Sequence, residues 1–170
     1  VNQASLELCG KAGAVEPVSH AIRETHRHGV KVHGMFVAGF DTDVPQTFSD
    51  TLKFAKRHHL DSLQLMLLTP LPGTRDWHQE GYADGTRPLL SREWSKFDGH
   101  HAVTVPKLMT AYEANLMALK TMASFYSLPR AIGRLLKGDF VEFTMRASAW
   151  SLIRQWFKTP DNRNYLESLK

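Results

Sequence analysis

The sequence predicts an α/β protein that ends in a helical region, and three observations carry that reading. Two apolar runs, HGMFVAGFDTDVPQTF and SLQLMLLTPLPGT, each stop abruptly in a loop rich in Gly, Pro, Asp and Thr. Segments of helical spacing precede and separate them, which is the pattern of a βα crossover unit. From Leu108 to Lys170 the pattern is helical throughout.

The elements follow in order. Pro17 suits the first turn of a helix in which Val18, Ala21, Ile22 and Thr25 recur at helical spacing. Gly29 supplies a stop after His26, Arg27 and His28, whose charge suits the negative end of the helix dipole. Val30 to Gly39 is an apolar, β-prone run. Asp43 is expected to cap the next helix, with Pro45 in its first turn and Phe48, Thr51, Leu52 and Ala55 on its buried face. Leu60 to Leu68 reads as a second strand, apolar enough to be covered on both faces as parallel strands are. Two strands leave unpaired edges, so the chain taken alone is expected to be poorly stable.

Residues 75–106 are irregular, with Trp77, Tyr82, Trp94 and Phe97 scattered among Gly, Asp, His and Arg; such segments pack aromatics over the open end of a neighbour. Residues 107–170 are helical. Thr110 and Glu113 form a capping box, and Leu116, Leu119, Lys120 and Ala123 continue that helix to about Tyr126. Pro129 opens a short helix ending near Gly138. Val141 to Lys158 is a third, with Met145, Ala149, Leu152, Ile153 and Trp156 inward, Arg146, Arg154 and Lys158 opposed, and Pro160 ending it.

Composition bounds the rest. At 170 residues the chain is one ordinary domain or a small domain with an appendage. Its 42% hydrophobic and 22% charged content suits a globular protein. No apolar run approaches the roughly 20 residues that span a bilayer, and no signal peptide opens the chain. It begins at Val1 rather than Met, which reads as a fragment or a processed chain, the fragment being the preferred reading. Cys9, the single cysteine, excludes an internal disulfide, cannot by itself hold a cluster, and fits a reducing, cytosolic compartment. A net charge of +4 is modest and gives nucleic acid little support as a partner.

Alternation puts His33, Met35 and Val37 on one face of the first strand and Gln64, Met66 and Leu68 on one face of the second. A lone polar side chain in an apolar strand needs a partner, so His33 and Gln64 are candidates to line a reaction cavity, with a satisfied core histidine as the plainer role for His33. The adjacent pairs His58-His59 and His100-His101 do not converge on one ion, and there is no HExxH or CxxC pattern, so no metal site is expected. A Ser-His-Asp signature, a P-loop and a GxGxxG element are likewise absent from the sequence.

The run GMFVAGFDTD, then PQTF, TPLPGT, FDGHH and Val105-Pro106 resembles radical SAM enzymes that carry an N-terminal cobalamin-binding domain, over roughly Ser5 to Tyr126. That resemblance implies the C-terminal part of a partial (βα)6 barrel, with the last βα units in 1–74, an aromatic-rich connector in 75–106 and a helical extension in 107–170. Val30–Gly39 would be the fifth barrel strand and Leu63–Leu68 the sixth. It implies S-adenosylmethionine, a 4Fe–4S cluster and cobalamin in a parent enzyme. Neither the cluster's CxxxCxxC loop nor a cobalamin-binding DxHxxG motif occurs in this chain, which is expected to be inactive alone. The implied reaction is cleavage of S-adenosylmethionine to a radical that acts on an unactivated carbon of a small or lipid-like molecule, most often for methylation. Implied partners are the upstream barrel and cobalamin domain, a small-molecule substrate and a reductant protein.

By the same resemblance Gly34, Phe36, Gly39, Phe40 and Asp41 are candidates for cofactor contact; the alternatives are core packing for Phe36 and Phe40, a packing contact for Gly34, and turn or cap roles for the aspartates. Thr69, Pro70 and Pro72 form a rigid lip over the substrate cavity or a simple chain reversal, because two prolines restrict the loop. His100 and His101 sit near substrate or serve a turn. The basic C-terminal helices admit a membrane-surface docking module as an alternative function, peripheral to the membrane, against ordinary packing.

Overall fold

A parallel pair of strands and the helix that crosses between them form the centre of the chain. The computed structural model describes residues 2–8, 10, 11, 13 and 15–170; the expectations for Val1 and Cys9 fall outside them. In chain order the elements are α1 (Gln3–Leu8), α2 (Val15–Arg27), β1 (His33–Ala38), α3 (Pro45–Arg57), β2 (Ser62–Leu67), α4 (Arg75–Gln79), α5 (Ala111–Phe125), α6 (Leu128–Leu135), α7 (Phe140–Lys158) and α8 (Pro160–Ser168), with a 3-10 turn at Trp94–Lys96. β1 and β2 pair in parallel, with His33 opposite Ser62 and Ala38 opposite Leu67. The class is α/β. A two-stranded sheet does not show the expected (βα)6 barrel.

Local chemistry sets the helix ends. α2 stops at Gly29, whose φ of +73° lets its N–H and that of Val30 return to the carbonyls of His26 and Thr25 at 2.9 and 3.2 Å. α5 opens on the expected capping box: the Glu113 N–H donates to Thr110 Oγ1 at 3.1 Å, and the Thr110 N–H donates to the Glu113 carboxylate at 2.9 Å. α3 begins differently from expectation. Val44, not Asp43, is the N-cap, and its N–H donates to Thr47 Oγ1 at 3.2 Å. Asp43 is occupied elsewhere, as described below.

One face of the sheet is covered. Leu63, Leu65, Leu67 and Ala38 are buried beneath α3 and α5, against Phe48, Ala55, Ala118, Leu119 and Met122. The opposite face is open on β1, with Met35 62% and Val37 45% exposed, and on β2 Ser62, Gln64 and Met66 are only half-buried, which corrects the expectation that the second strand is covered on both faces. On that face the 97–101 loop reaches β2, where Gly99 lies against Met66.

The edges differ too. β1 pairs with no other strand among the described residues. The far edge of β2 is closed: the Tyr126 hydroxyl accepts the Leu63 N–H at 2.7 Å and donates to the Leu63 carbonyl at 2.8 Å, and Gly99 accepts the Leu67 N–H at 2.7 Å. Tyr126→Phe strands both groups of Leu63 in a buried site, so we expect a loss of about 2 kcal/mol in urea unfolding. An unchanged midpoint would refute the clamp.

One C-terminal expectation needs correction. The buried stripe of α7 runs through Glu142 and Arg146, with Ile153 and Trp156 partly covered and Leu152 66% exposed. Arg146 therefore faces inward, because its guanidinium binds carbonyls of neighbouring elements. Pro160 ends α7 as expected, since that helix stops at Lys158; with Thr159 as N-cap it also opens α8, in the first-turn position where its missing N–H costs nothing.

Candidate functional site

The loops leaving the carboxyl ends of β1 and β2 are organised by a buried carboxylate. Asp43 is 1% exposed and receives four donors: the Gly39 and Phe40 N–H groups at 2.9 and 3.1 Å, Ser5 Oγ at 2.6 Å and the Asn2 side-chain amide at 3.0 Å. Gly39 has φ +94°, a conformation that excludes other residues without strain. The chain thus turns sharply at the strand end and presents Phe40 and Asp41, both partly exposed.

Asp41 sits between two cations, with Arg87 at 2.5 Å and Lys107 at 3.0 Å; Arg87 also reaches Glu80 at 3.0 Å and lies over the Tyr82 ring. Burial works to raise the Asp41 carboxyl, but the hydrogen bonds and charges of Arg87 and Lys107 outweigh it and hold the group below its ordinary range. Tyr82 is buried and its hydroxyl has no hydrogen-bond partner among the described residues; the nearby Thr104 hydroxyl donates to the Leu68 carbonyl at 3.4 Å instead. Burial also pushes the Tyr82 phenol up.

The 97–101 loop forms the second wall. His101 is 4% exposed, its Nδ1 3.0 Å from Asp98 and its Nε2 3.1 Å from Asn162 Oδ1, with the Trp156 and Tyr165 rings on either side. Burial would raise the Asp98 carboxyl, yet hydrogen bonds from the His101 ring and the His100 N–H hold it below its usual range. Burial, followed by the negative Asp98 and Glu93, pushes the Tyr165 phenol up to about 12. Asn115, fully buried on α5, accepts the Ala102 N–H and donates to the His100 carbonyl, both at 2.9 Å.

The other candidate residues are distributed as follows. Gly34 lies mid-strand, where a Cβ would come within 2.5 Å of Leu60 Cδ1 and 2.9 Å of the Phe36 ring. Phe36 is half-buried and meets Phe54 edge-on at 6.1 Å. His33 is exposed, with Nδ1 2.7 Å from Ser62 Oγ, and Gln64 stands opposite Met35 on the open face. Thr69 donates to the Leu67 carbonyl at 3.0 Å, Pro70 is buried, Pro72 is exposed, and His100 is half-buried. Among the described residues no cluster of His, Cys, Asp and Glu could hold a metal, and no helix is long and apolar enough to cross a membrane. Sequence reading missed Arg87, Lys107, Asn115 and Asn162, because Asp41 and Arg87 are 46 residues apart and no spacing joins them.

Comparison with known proteins points to one class of enzyme, the methyltransferases. The Uncharacterized methyltransferase PH0819 of Pyrococcus horikoshii is 28% identical over 155 residues, covering 90% of this chain and 32% of its own length. Two proteins of Chlorobaculum tepidum also match: Bacteriochlorophyllide d C-12(1)-methyltransferase, 29% identical over 80% of this chain and 26% of its own length, and Bacteriochlorophyllide d C-8(2)-methyltransferase, 24% identical over 74% and 27%. No family profile matches the chain. The chain spans about a third or less of the length of the relatives it matches.

These matches correct the motif resemblance. The relatives are named as methyltransferases, and their names carry no radical, iron–sulfur or cobalamin chemistry. Membership of the cobalamin-binding radical SAM enzymes, the radical cleavage reaction, and the cluster and cobalamin as cofactors are set aside, as is the docking-module alternative. What stands is similarity to methyltransferases.

Proposed function

We propose that the chain is part of a methyltransferase that takes its methyl group from S-adenosylmethionine and passes it to a small organic molecule, with the loops after β1 and β2 as the binding edge. The observation that carries this reading is similarity, over most of the chain, to three proteins named as methyltransferases. The position agrees with the general placement of ligands at the carboxyl ends of parallel strands. When bound, S-adenosylmethionine supplies a methyl group activated by its sulfonium charge.

The chain's own residues fit the binding part of this task. Asp41, kept ionised by Arg87 and Lys107, offers carboxylate oxygens to ribose hydroxyls or an ammonium group, and the half-buried Phe40 ring offers a stacking face beside it. Asp43 holds both in place through the backbone. Gln64 on the open sheet face, the Thr69–Pro72 lip and His100 are the substrate-side candidates; His33 opens β1 at the far end of the strands, and the two ring nitrogens of His101 are already engaged. The free edge of β1 is where a further strand of a longer parent chain would pair. The single cysteine favours a reducing, cytoplasmic setting.

The test is equilibrium dialysis of the protein against radiolabelled S-adenosylmethionine, repeated with Phe40→Ala and Asp41→Ala. Saturable binding that weakens about tenfold in either variant, a change of about 1.4 kcal/mol, supports the reading. Binding untouched by both variants puts the donor elsewhere, and absence of binding overturns the proposal.

A further inference from the structure

A cavity of about 640 Å³ lies at the opposite end of the strands from the loops just described. Its walls are the C-terminal turns of α2 and α3, the Leu60-Asp61 approach to β2, the end of α5, one side of α6, and Arg146 of α7. Five cations line it, Lys56, Arg130, Arg134, Lys137 and Arg146, against one carboxylate, Asp61.

The local acids are already engaged. Asp61 accepts from the Val32 N–H at 2.7 Å and faces His26 Nε2 at 3.0 Å. Glu142, behind the wall, holds Arg146 at 2.7 Å and Arg134 at 3.0 Å. Backbone acceptors are used as well. Arg146 takes the Phe125 and Asp61 carbonyls, and the last turn of α3 is closed by the N–H groups of His58, His59 and Leu60. Lys56, Arg130 and Lys137 make no ion pair among the described residues, and all three are solvent-accessible. Burial and then the Arg130 charge lower the Lys56 ammonium.

We propose that this cavity binds a phosphate-bearing anion, with Lys56, Arg130 and Lys137 as its direct ligands and Arg134 and Arg146 as its fixed positive wall. Three mobile cations around a concave space suit a phosphate or diphosphate group, whose oxygens accept several charge-assisted hydrogen bonds at once. The volume admits a diphosphate with part of the molecule that carries it. Such a group can belong to a free metabolite or to a lipid headgroup. This site is separate from the proposed methyl-donor loops, and the two readings stand or fall independently.

The probe is inorganic pyrophosphate, titrated calorimetrically into the protein, beside sedimentation with phosphatidylglycerol-containing vesicles. The variants are a Lys56→Gln, Arg130→Gln, Lys137→Gln triple and its charge-keeping counterpart, Lys56→Arg, Arg130→Lys, Lys137→Arg. Because the three side chains are exposed and unpaired, thermal melting should be unchanged in both. We expect one saturable pyrophosphate site that weakens by about 100-fold or more in the neutral triple and survives in the charge-keeping one. Vesicle binding without pyrophosphate binding, lost in the same neutral triple, identifies a lipid phosphate as the source. Absence of both, binding that survives neutralisation, or a response that tracks ionic strength without saturation overturns the site.

Discussion

Arg146→Ala is expected to lower stability by about 3–5 kcal/mol, the cost typical of breaking a buried ion pair from one side. Arg146 and Glu142 are 5% and 1% exposed, and removal of the guanidinium does three things at once. It leaves the Glu142 carboxylate buried with only Arg134 at 3.0 Å and Lys31 at 3.7 Å. It strips the donors from the Phe125 and Asp61 carbonyls. It also removes the cation lying 4.9 Å from the centre of the Phe125 ring. Urea unfolding at neutral pH measures the loss. A Glu142→Leu, Arg146→Met double variant should lose much less, since apolar residues of similar size leave no orphaned charge. If the double variant is as unstable as Arg146→Ala, the effect is lost packing rather than an uncompensated carboxylate.

That pair also shows where sequence reading falls short. Periodicity assigns α7 an apolar inner face and puts Arg146 outside with Arg154 and Lys158. The structure rotates the stripe so that a charged pair is buried and Leu152 stands in solvent. A helical wheel ranks residues by transfer cost alone and cannot register that two orphaned carbonyls and a carboxylate await a guanidinium. Local signals fared better. The Gly29 stop and the Thr110–Glu113 capping box depend on residues within a few positions of each other, and both are present. The two strands and the helix between them were legible for the same reason, as runs with a single period.

The candidate loops were legible in place but not in wiring. Abrupt endings of the apolar runs pointed to the turns after β1 and β2. Arg87 and Lys107, which hold Asp41 after β1, come from a segment without regular spacing, and Asn115 and Asn162, which hold residues 100–102, come from α5 and α8; all four are joined to the loops only by folding. The same gap explains why the open face of the sheet was missed. Hydropathy marks Leu60 to Leu68 as covered on both faces, whereas burial depends on what lies over the strand, and nothing in the local pattern says which side the helices take.

Asp43→Ala is the second large effect, about 3 kcal/mol, because it deprives four donors, two of them buried, of their shared carboxylate acceptor. The distribution of those donors makes the consequence local. Two are the N–H groups of Gly39 and Phe40, which set the turn that presents Asp41; two come from Ser5 and Asn2 and tie α1 to the same point. The loss should appear as faster hydrogen exchange at the Gly39 and Phe40 amides, with protection at Leu63 and Leu65 retained until global unfolding. Asp43→Asn is no rescue. An amide keeps one acceptor oxygen and turns two N–H donors toward groups that themselves donate, so it should cost as much as alanine despite its matching shape. Weakened S-adenosylmethionine binding in both variants, with Asp41 itself intact, would assign Asp43 a positioning role acting through the backbone of 39–41. Native exchange rates at Gly39 and Phe40 in Asp43→Ala would instead mean that the +94° turn holds without its carboxylate, and that the loop owes its shape to Gly39 and to the Arg87–Asp41 contact.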